Sequence, residues 1–83
     1  MKMKNKVAII TGGSGGIGRA MATAFLAEGA RGIVLADLNE DAVKAAAKDL
    51  NCEGMSCDVT NEGQVAALTE FALEKFGRVD LFC

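Results

Sequence analysis

The 83-residue sequence contains no histidine, tyrosine, tryptophan or proline. Without histidine or tyrosine, these residues cannot form a histidine-based catalytic triad, a histidine metal site or a tyrosine acid–base group. Hydrophobic residues make up 51% of the chain and charged residues 24%, which excludes disordered, collagenous and coiled-coil classes. We therefore expect a small globular domain with no metal site and no catalytic residue of its own.

Charge and cysteine content indicate which binding partners and which cellular compartment to expect. Nine basic and eleven acidic residues give a net charge of −2, so the chain lacks the basic surface typical of nucleic-acid binding. The apolar run that follows the N-terminal lysines covers residues 7–10, whereas a signal peptide needs about 7–15 apolar residues and a membrane span about 20. Cys52, Cys57 and Cys83 are odd in number and form no C-x-x-C pair, as is typical of free thiols in a reducing cytosol. These features predict a cytoplasmic protein with neither nucleic-acid nor membrane partners.

Apolar runs alternate with stretches of helical periodicity along the whole chain. The runs predict four strands, at residues 7–11, 33–36, 55–59 and 79–83. Three helical stripes separate them: Ile17, Ala20, Met21, Ala24 and Phe25; Val43, Ala46, Ala47 and Leu50; Val65, Leu68, Ala72 and Phe76. The predicted helix caps are Gly29, Asn39, Thr60 or Asn61, and Gly77. Strands that are apolar on both faces and alternate with helices predict a doubly wound α/β fold with a parallel sheet.

The turn between the first strand and the first helix is unusually rich in glycine. Gly13, Gly15 and Gly18 match G-x-G-x-x-G directly after a strand. Glycines there permit a tight turn and close approach of the backbone to a pyrophosphate, which the helix N-terminus also attracts. A kinase-type phosphate loop is excluded because Arg19 and Ala20 stand where that loop needs Lys and Ser or Thr. The turn therefore predicts dinucleotide binding, or binding of S-adenosylmethionine by a methyltransferase fold.

An acidic residue lies nineteen positions after Gly18, at the end of the second predicted strand. This residue is Asp37, at the spacing from which a carboxylate accepts hydrogen bonds from ribose hydroxyls. The same carboxylate would repel a 2′-phosphate, and the next residue is Leu38 rather than Arg or Lys. We therefore expect NAD(H) to be preferred over NADP(H).

These motifs together resemble the short-chain dehydrogenase/reductase family. The resemblance covers the whole chain and includes Thr-Gly-x-x-x-Gly-Ile-Gly from Thr11, Asp58-Val59 after the third predicted strand, and Val-Asp-Leu-Phe-Cys at residues 79–83. It makes the methyltransferase alternative much weaker. It implies nine cofactor-contacting residues: Gly12, Ser14, Gly16, Ile17, Gly18, Asp37, Leu38, Asp58 and Val59.

The resemblance also implies a role for each group. The glycines would form the pyrophosphate turn, with Ser14 and the backbone of Ile17 contacting the cofactor. Asp37 would hold the adenosine ribose with Leu38 beside it. Asp58 would face the adenine amino group and Val59 would pack on the adenine ring. Helix capping remains an alternative role for Asp58, and core packing one for Val59.

The family's catalytic residues are not found in this sequence. In that family the fourth strand continues into an Asn-[Asn/Ser]-Ala-Gly motif, and the catalytic Ser and Tyr-x-x-x-Lys follow later, whereas this sequence ends at Cys83. We therefore expect residues 1–83 to be the N-terminal part of a single Rossmann-type domain, with strand order 3-2-1-4 and an apolar edge exposed at Val79, Leu81 and Phe82.

The expected full-length parent is an NAD(H)-dependent oxidoreductase. It would interconvert a secondary alcohol and a ketone on a small-molecule substrate and form a homo-oligomer. A non-catalytic dinucleotide-binding module is the alternative.

Overall fold

The computed structural model describes residues 3–83, which fold as one parallel sheet covered by helices. The elements, in chain order, are β1 (Val7–Thr11), α1 (Gly16–Ala27), β2 (Gly32–Asp37), α2 (Glu40–Leu50), β3 (Glu53–Ser56), α3 (Glu62–Phe76) and β4 (Leu81–Phe82). The strand order is β3-β2-β1-β4, and every neighbouring pair is parallel. The predicted α/β class and the strand order 3-2-1-4 are therefore confirmed.

Local side-chain chemistry explains where the helices begin and end. The side-chain oxygen of Asn39 accepts a hydrogen bond from the amide of Ala42 at 2.9 Å, and that of Asn61 accepts from Gln64 at 3.0 Å. These bonds satisfy amides that lack partners at a helix start, and they identify Asn61 rather than Thr60 as the cap of α3. Gly29 and Gly77 have φ of +88° and +81° after α1 and α3, the left-handed conformation in which glycine commonly ends a helix.

Within residues 3–83, no helix combines the length and the apolar character that crossing a bilayer requires.

The predicted apolar stripe of α1 was partly wrong. Ile17 is 81% exposed, and Ala20 also faces solvent. Gly18 and Ala22 are the buried residues of the helix instead. Gly18 packs directly against the backbone of the glycine-rich loop. The face of α1 that meets the sheet therefore begins at Gly18, one residue later than predicted.

The ends of the two outer strands were also misplaced. β3 lies at residues 53–56 rather than 55–59, because its pairing with β2 ends at the Asp37–Ser56 register and no partner strand continues beyond it. β4 has only two residues, paired with Ala8 and Ile9. Backbone bonds extend the contact of β4 with β1 by one residue on each side, through the amides of Asp80 and Cys83.

Alternate residues of the two central strands supply two separate cores. Ala8, Ile10, Ile33 and Leu35 face α1 and α2, whereas Ile9, Val34 and Ala36 face α3. Leu81 packs against the first core and Val79 against the second. The predicted exposed edge is therefore correct only for Phe82, which is 47% exposed.

Asp80 connects the start of β4 to the start of β1. Its Oδ2 accepts a hydrogen bond from the amide of Val7 at 2.8 Å, and Arg78 donates to both carboxylate oxygens at 2.6 and 2.8 Å. The hydrogen bond from Arg78, followed by that from Val7, lowers the pKa of Asp80 below its ordinary value of 3.8. Because this pKa is lower in the folded state than in the unfolded state, the stabilisation is present at neutral pH and is lost as the pH falls through the folded-state pKa.

We expect Asp80→Asn to lower the thermal unfolding midpoint at neutral pH and to make stability less dependent on pH in the acid range. Thermal unfolding followed by circular dichroism between about pH 7 and pH 3 measures both effects. Glu74→Gln, which changes an exposed carboxylate on α3, is the control. A variant as acid-sensitive as the wild type would show that Asp80 does not contribute in this way.

Candidate functional site

A cleft of about 350 Å³ lies at the carboxyl ends of the central strands. In open α/β sheets ligands bind outside the carboxyl ends of the strands. The cleft brings together five of the nine predicted site residues, Gly12, Asp37, Leu38, Asp58 and Val59; its other lining residues are Thr11, Ala36, Cys57 and Thr60. The remaining four predicted residues, Ser14, Gly16, Ile17 and Gly18, follow in the adjoining loop and first turn of α1.

The glycines of the turn have two different structural roles. A Cβ on Gly13 would lie 2.6 Å from Cβ of Leu35, and one on Gly18 would lie 2.5 Å from the carbonyl oxygen of Gly12. These contacts are too close for any side chain, so Gly13 and Gly18 are required by the packing of the loop itself. A Cβ on Gly16 would meet no atom within 4 Å, which means that the fold does not require glycine there.

The N-terminus of α1 differs from those of the other two helices. Gly15 caps it without a side-chain hydrogen bond, and its first turn has no acidic residue. By contrast, α2 and α3 begin with an Asn cap and with acidic residues in the first turn. The first amides of a helix have no intrahelical partner and carry partial positive charge, so α1 presents an anion-attracting end beside the cleft.

Asp37, the last residue of β2, is joined to the glycine-rich loop by Ser14. Its Oδ2 accepts a hydrogen bond from the amide of Ser14 at 3.2 Å and another from the Ser14 hydroxyl. The hydroxyl bond is the main cause that lowers the pKa of Asp37, outweighing the opposite effect of burial. Asp37 therefore carries its negative charge at neutral pH. This contact joins residues 23 apart, and no sequence motif indicated it.

Asp58 and Val59 follow β3 on the opposite side of the cleft. The Oδ1 of Asp58 accepts hydrogen bonds from the hydroxyl and amide of Thr60, at 2.6 and 2.9 Å. The hydroxyl bond is the larger of the two causes that lower the pKa of Asp58. The amide of Asp58 donates to Oε1 of Gln64 at 2.8 Å. The Asp58 side chain thus holds the turn before α3, whose cap is Asn61, and also lines the cleft.

Large apolar side chains are exposed around this edge of the sheet. Ile17, Leu38 and Val59 are 81%, 72% and 54% exposed. The core-packing alternative for Val59 was therefore wrong. Exposed apolar groups that cluster beside polar ones commonly mark a ligand site.

The cysteines are free thiols in the structure. Burial, followed by the nearby charge of Glu53, raises the pKa of Cys52 to about 11. Burial also raises the pKa of Cys57, which lines the cleft, and that of Cys83. Thiols with raised pKa values are poor nucleophiles. Across residues 3–83, no group of three or more potential metal-ligating side chains comes together.

The sequence matches one known protein family over nearly its whole length. The family model described as short chain dehydrogenase matches residues 6–83. The chain belongs to this family. The fold found here is that of the solved structures of this family.

Individual relatives support the same membership. The chain is 42% identical over 83 residues to momilactone A synthase of Oryza sativa subsp. japonica, covering 96% of the chain and 30% of the relative. It is 36% identical over 86 residues to 7alpha-hydroxysteroid dehydrogenase of Escherichia coli (strain K12), covering 98% and 33%. The chain thus spans about a third of the length of these relatives.

Solved structures of the family match the fold closely. A short chain dehydrogenase/reductase from Burkholderia phymatum in complex with NAD superimposes with a TM-score of 0.91 at 40% identity, over 99% of this chain and 31% of that one. Levodione reductase gives a TM-score of 0.85 at 34% identity, over 96% and 33%. The first of these structures binds a nicotinamide dinucleotide.

Proposed function

We propose that residues 1–83 form the adenosine- and pyrophosphate-binding half of an NAD(H)-dependent short-chain dehydrogenase. The observation that carries the proposal is Asp37: an ionised carboxylate at the end of β2, beside both the glycine-rich loop and the cleft. A carboxylate has only acceptor oxygens, which suit the two hydroxyls of a ribose. The relatives' greater length supports the further proposal that a longer protein supplies the catalytic residues.

Each part of the cleft fits one part of the cofactor. The N-terminus of α1, which has no side-chain cap, would hold the pyrophosphate, and the pyrophosphate can approach closely because Gly16 has no side chain. Asp37 would accept bonds from the adenosine ribose, with Leu38 against its apolar face. Val59 would pack on the adenine ring, and Asp58 would accept a hydrogen bond from its amino group. The three exposed apolar side chains would then lose solvent contact on binding.

The proposed role of this half is to bind and orient, not to transfer protons. The bound cofactor supplies the nicotinamide ring that donates or accepts hydride. Asp37 and the N-terminus of α1 would fix the adenosine end and the pyrophosphate, which sets the direction in which the rest of the cofactor leaves the cleft. Orienting a reactant in this way contributes to catalysis without direct contact with the reacting atoms.

The charge at the cleft supports NAD(H) over NADP(H). A 2′-phosphate would lie next to Asp37, and juxtaposed like charges cost several kcal/mol at an interface. Leu38 offers no compensating positive charge. The NAD complex of the Burkholderia phymatum relative also supports this choice.

Calorimetric titration of the full-length protein with NADH, NADPH and S-adenosylmethionine tests the proposal. We expect NADH to bind more tightly than NADPH by about tenfold or more, and S-adenosylmethionine not to bind. Oxidation of NADH on addition of ketones would then identify an enzyme, whereas binding without turnover of any ketone or alcohol would favour the non-catalytic module. Equal affinity for the two dinucleotides would contradict the role of Asp37.

A further inference from the structure

Ser14 lies between two charged side chains and is hydrogen-bonded to both. Its carbonyl oxygen accepts a bond from Nε of Arg19 at 3.3 Å. Its amide and its hydroxyl both donate to Oδ2 of Asp37. All three polar groups of Ser14 are therefore engaged within the protein.

The two bonds to Asp37 restrict how that carboxylate can rotate. An aspartate at the end of a strand can turn about its side-chain torsions, and two donors on one oxygen favour a single orientation. Because both bonds end on Oδ2, the other oxygen, Oδ1, is not engaged by Ser14 and can accept a hydrogen bond from a ligand. Hydrogen bonds to ionised groups are also stronger than those between neutral groups.

Arg19 extends the connection away from the cleft. Its NH1 group forms an ion pair with Asp49 at the end of α2, at 3.3 Å. The two side chains are 38% and 65% exposed, so the pair adds little stability by itself. The pair does, however, fix the Arg19 guanidinium against α2, and the same guanidinium donates to the carbonyl oxygen of Ser14.

We propose that Ser14 is a positioning residue, which acts on cofactor recognition through Asp37 rather than by touching the cofactor. Its amide and hydroxyl hold Oδ2 of Asp37, in the orientation that presents the other oxygen, Oδ1, to the adenosine ribose. The hydroxyl hydrogen is used in the bond to Asp37, so it is not available for donation to a phosphate or ribose oxygen. This inference rests on the proposed function, because it assumes that Asp37 binds the ribose, and it differs from the direct cofactor contact predicted for Ser14.

A double-mutant cycle on the full-length protein separates the two roles. NADH affinity is measured by calorimetric titration for the wild type, Ser14→Ala, Asp37→Ala and the double variant. We expect Ser14→Ala to weaken NADH binding by up to about tenfold, because the Asp37 side chain must then be immobilised on binding instead of beforehand. In the Asp37→Ala background we expect the same change to have no further effect. Thr23→Ala removes a hydroxyl of α1 that donates to the backbone oxygen of Arg19 rather than to Asp37; it is the control and should bind as the wild type does.

The possible failures are distinguishable. An equal loss from Ser14→Ala in both backgrounds would mean that Ser14 contacts the cofactor directly, which overturns the inference and leaves the proposed function intact. No loss in either background would also overturn the inference. No loss of NADH affinity from Asp37→Ala alone would overturn the ribose role of Asp37, and the inference with it.

The pH dependence of binding is a second readout that a general loss of folding would not reproduce. The Ser14 hydroxyl lowers the pKa of Asp37, so its removal raises that pKa. We expect the acid midpoint of NADH binding to move to higher pH in Ser14→Ala, with thermal unfolding measured at each pH to confirm a folded protein. An unchanged midpoint in a folded variant would contradict the inference.

Discussion

Replacing Asp37 with alanine should weaken NADH binding by about ten- to a hundredfold, while NADPH binding stays the same or improves. The loss follows from removing an ionised acceptor, since each hydrogen bond to a charged group contributes about 1.5–3 kcal/mol and each 1.4 kcal/mol changes affinity tenfold. The effect on NADPH follows from removing the charge that would face its 2′-phosphate. The ratio of the two affinities should therefore narrow, and calorimetric titration with both dinucleotides measures it.

A nearby acidic residue provides the control for this variant. Asp41 lies in the first turn of α2 and is exposed, so Asp41→Ala removes the same formal charge four residues away but leaves the cleft unchanged. We expect its NADH-to-NADPH preference to match that of the wild type. If Asp37→Ala weakened both dinucleotides equally, the carboxylate would not discriminate between them, and the proposed basis of NAD(H) preference would be wrong.

Asp37 also shows which parts of the site were predictable from sequence. Its distance from Gly18 and its place at the end of an apolar strand were enough to predict an acid at the carboxyl edge of the sheet. The hydrogen bonds from Ser14 were not predictable, because they depend on how the loop folds back over β2. Spacing along one chain gives no information about a contact between two elements 23 residues apart.

The predicted buried faces of the helices show a similar limit of prediction from sequence. The stripe of α2 was predicted well, because Val43, Ala46 and Ala47 are buried and nothing at its start alters the periodicity. The stripe of α1 was misjudged at Ile17, because a glycine, which hydropathy does not recognise as a packing residue, contacts the loop. Periodicity assumes that large apolar side chains point to the core, and that assumption fails where the backbone itself makes the closest contact.

The predicted strand ends were wrong for a different reason. Hydropathy continues through Cys57 and Val59, yet β3 ends at Ser56 because β2 provides no further partner. Val59 is apolar and exposed at the cleft. An apolar residue just beyond a strand end can therefore belong to a ligand site as well as to a core, and only the position of the neighbouring strand distinguishes the two.

The two roles of the glycines also predict how a valine at position 16 would affect folding and NADH binding. We expect Gly16→Val to fold as the wild type does, because a Cβ there meets no atom within 4 Å and the φ of Gly16 is not positive. We expect the same variant to lose NADH binding by about a hundredfold or more, a change of about 2.7 kcal/mol, because the side chain would occupy the space through which the pyrophosphate approaches the first amides of α1. Gly16→Ala should give a smaller loss, since a single methyl group fills less of that space.

Gly18→Val is the contrasting variant in the same turn. Its Cβ would lie 2.5 Å from the Gly12 carbonyl oxygen and 2.8 Å from Cα of Gly13, and these are backbone atoms that cannot move without displacing the loop. We expect a clear fall in the thermal unfolding midpoint together with loss of binding.

Thermal unfolding and calorimetric titration on both valine variants test the assignment. A destabilised Gly16→Val would show that the fold itself requires glycine there, and a folded Gly16→Val that binds NADH normally would show that Gly16 does not serve the cofactor. Of these two variants, Gly16→Val is the one expected to separate binding from folding, so it is the more direct test of where the pyrophosphate lies.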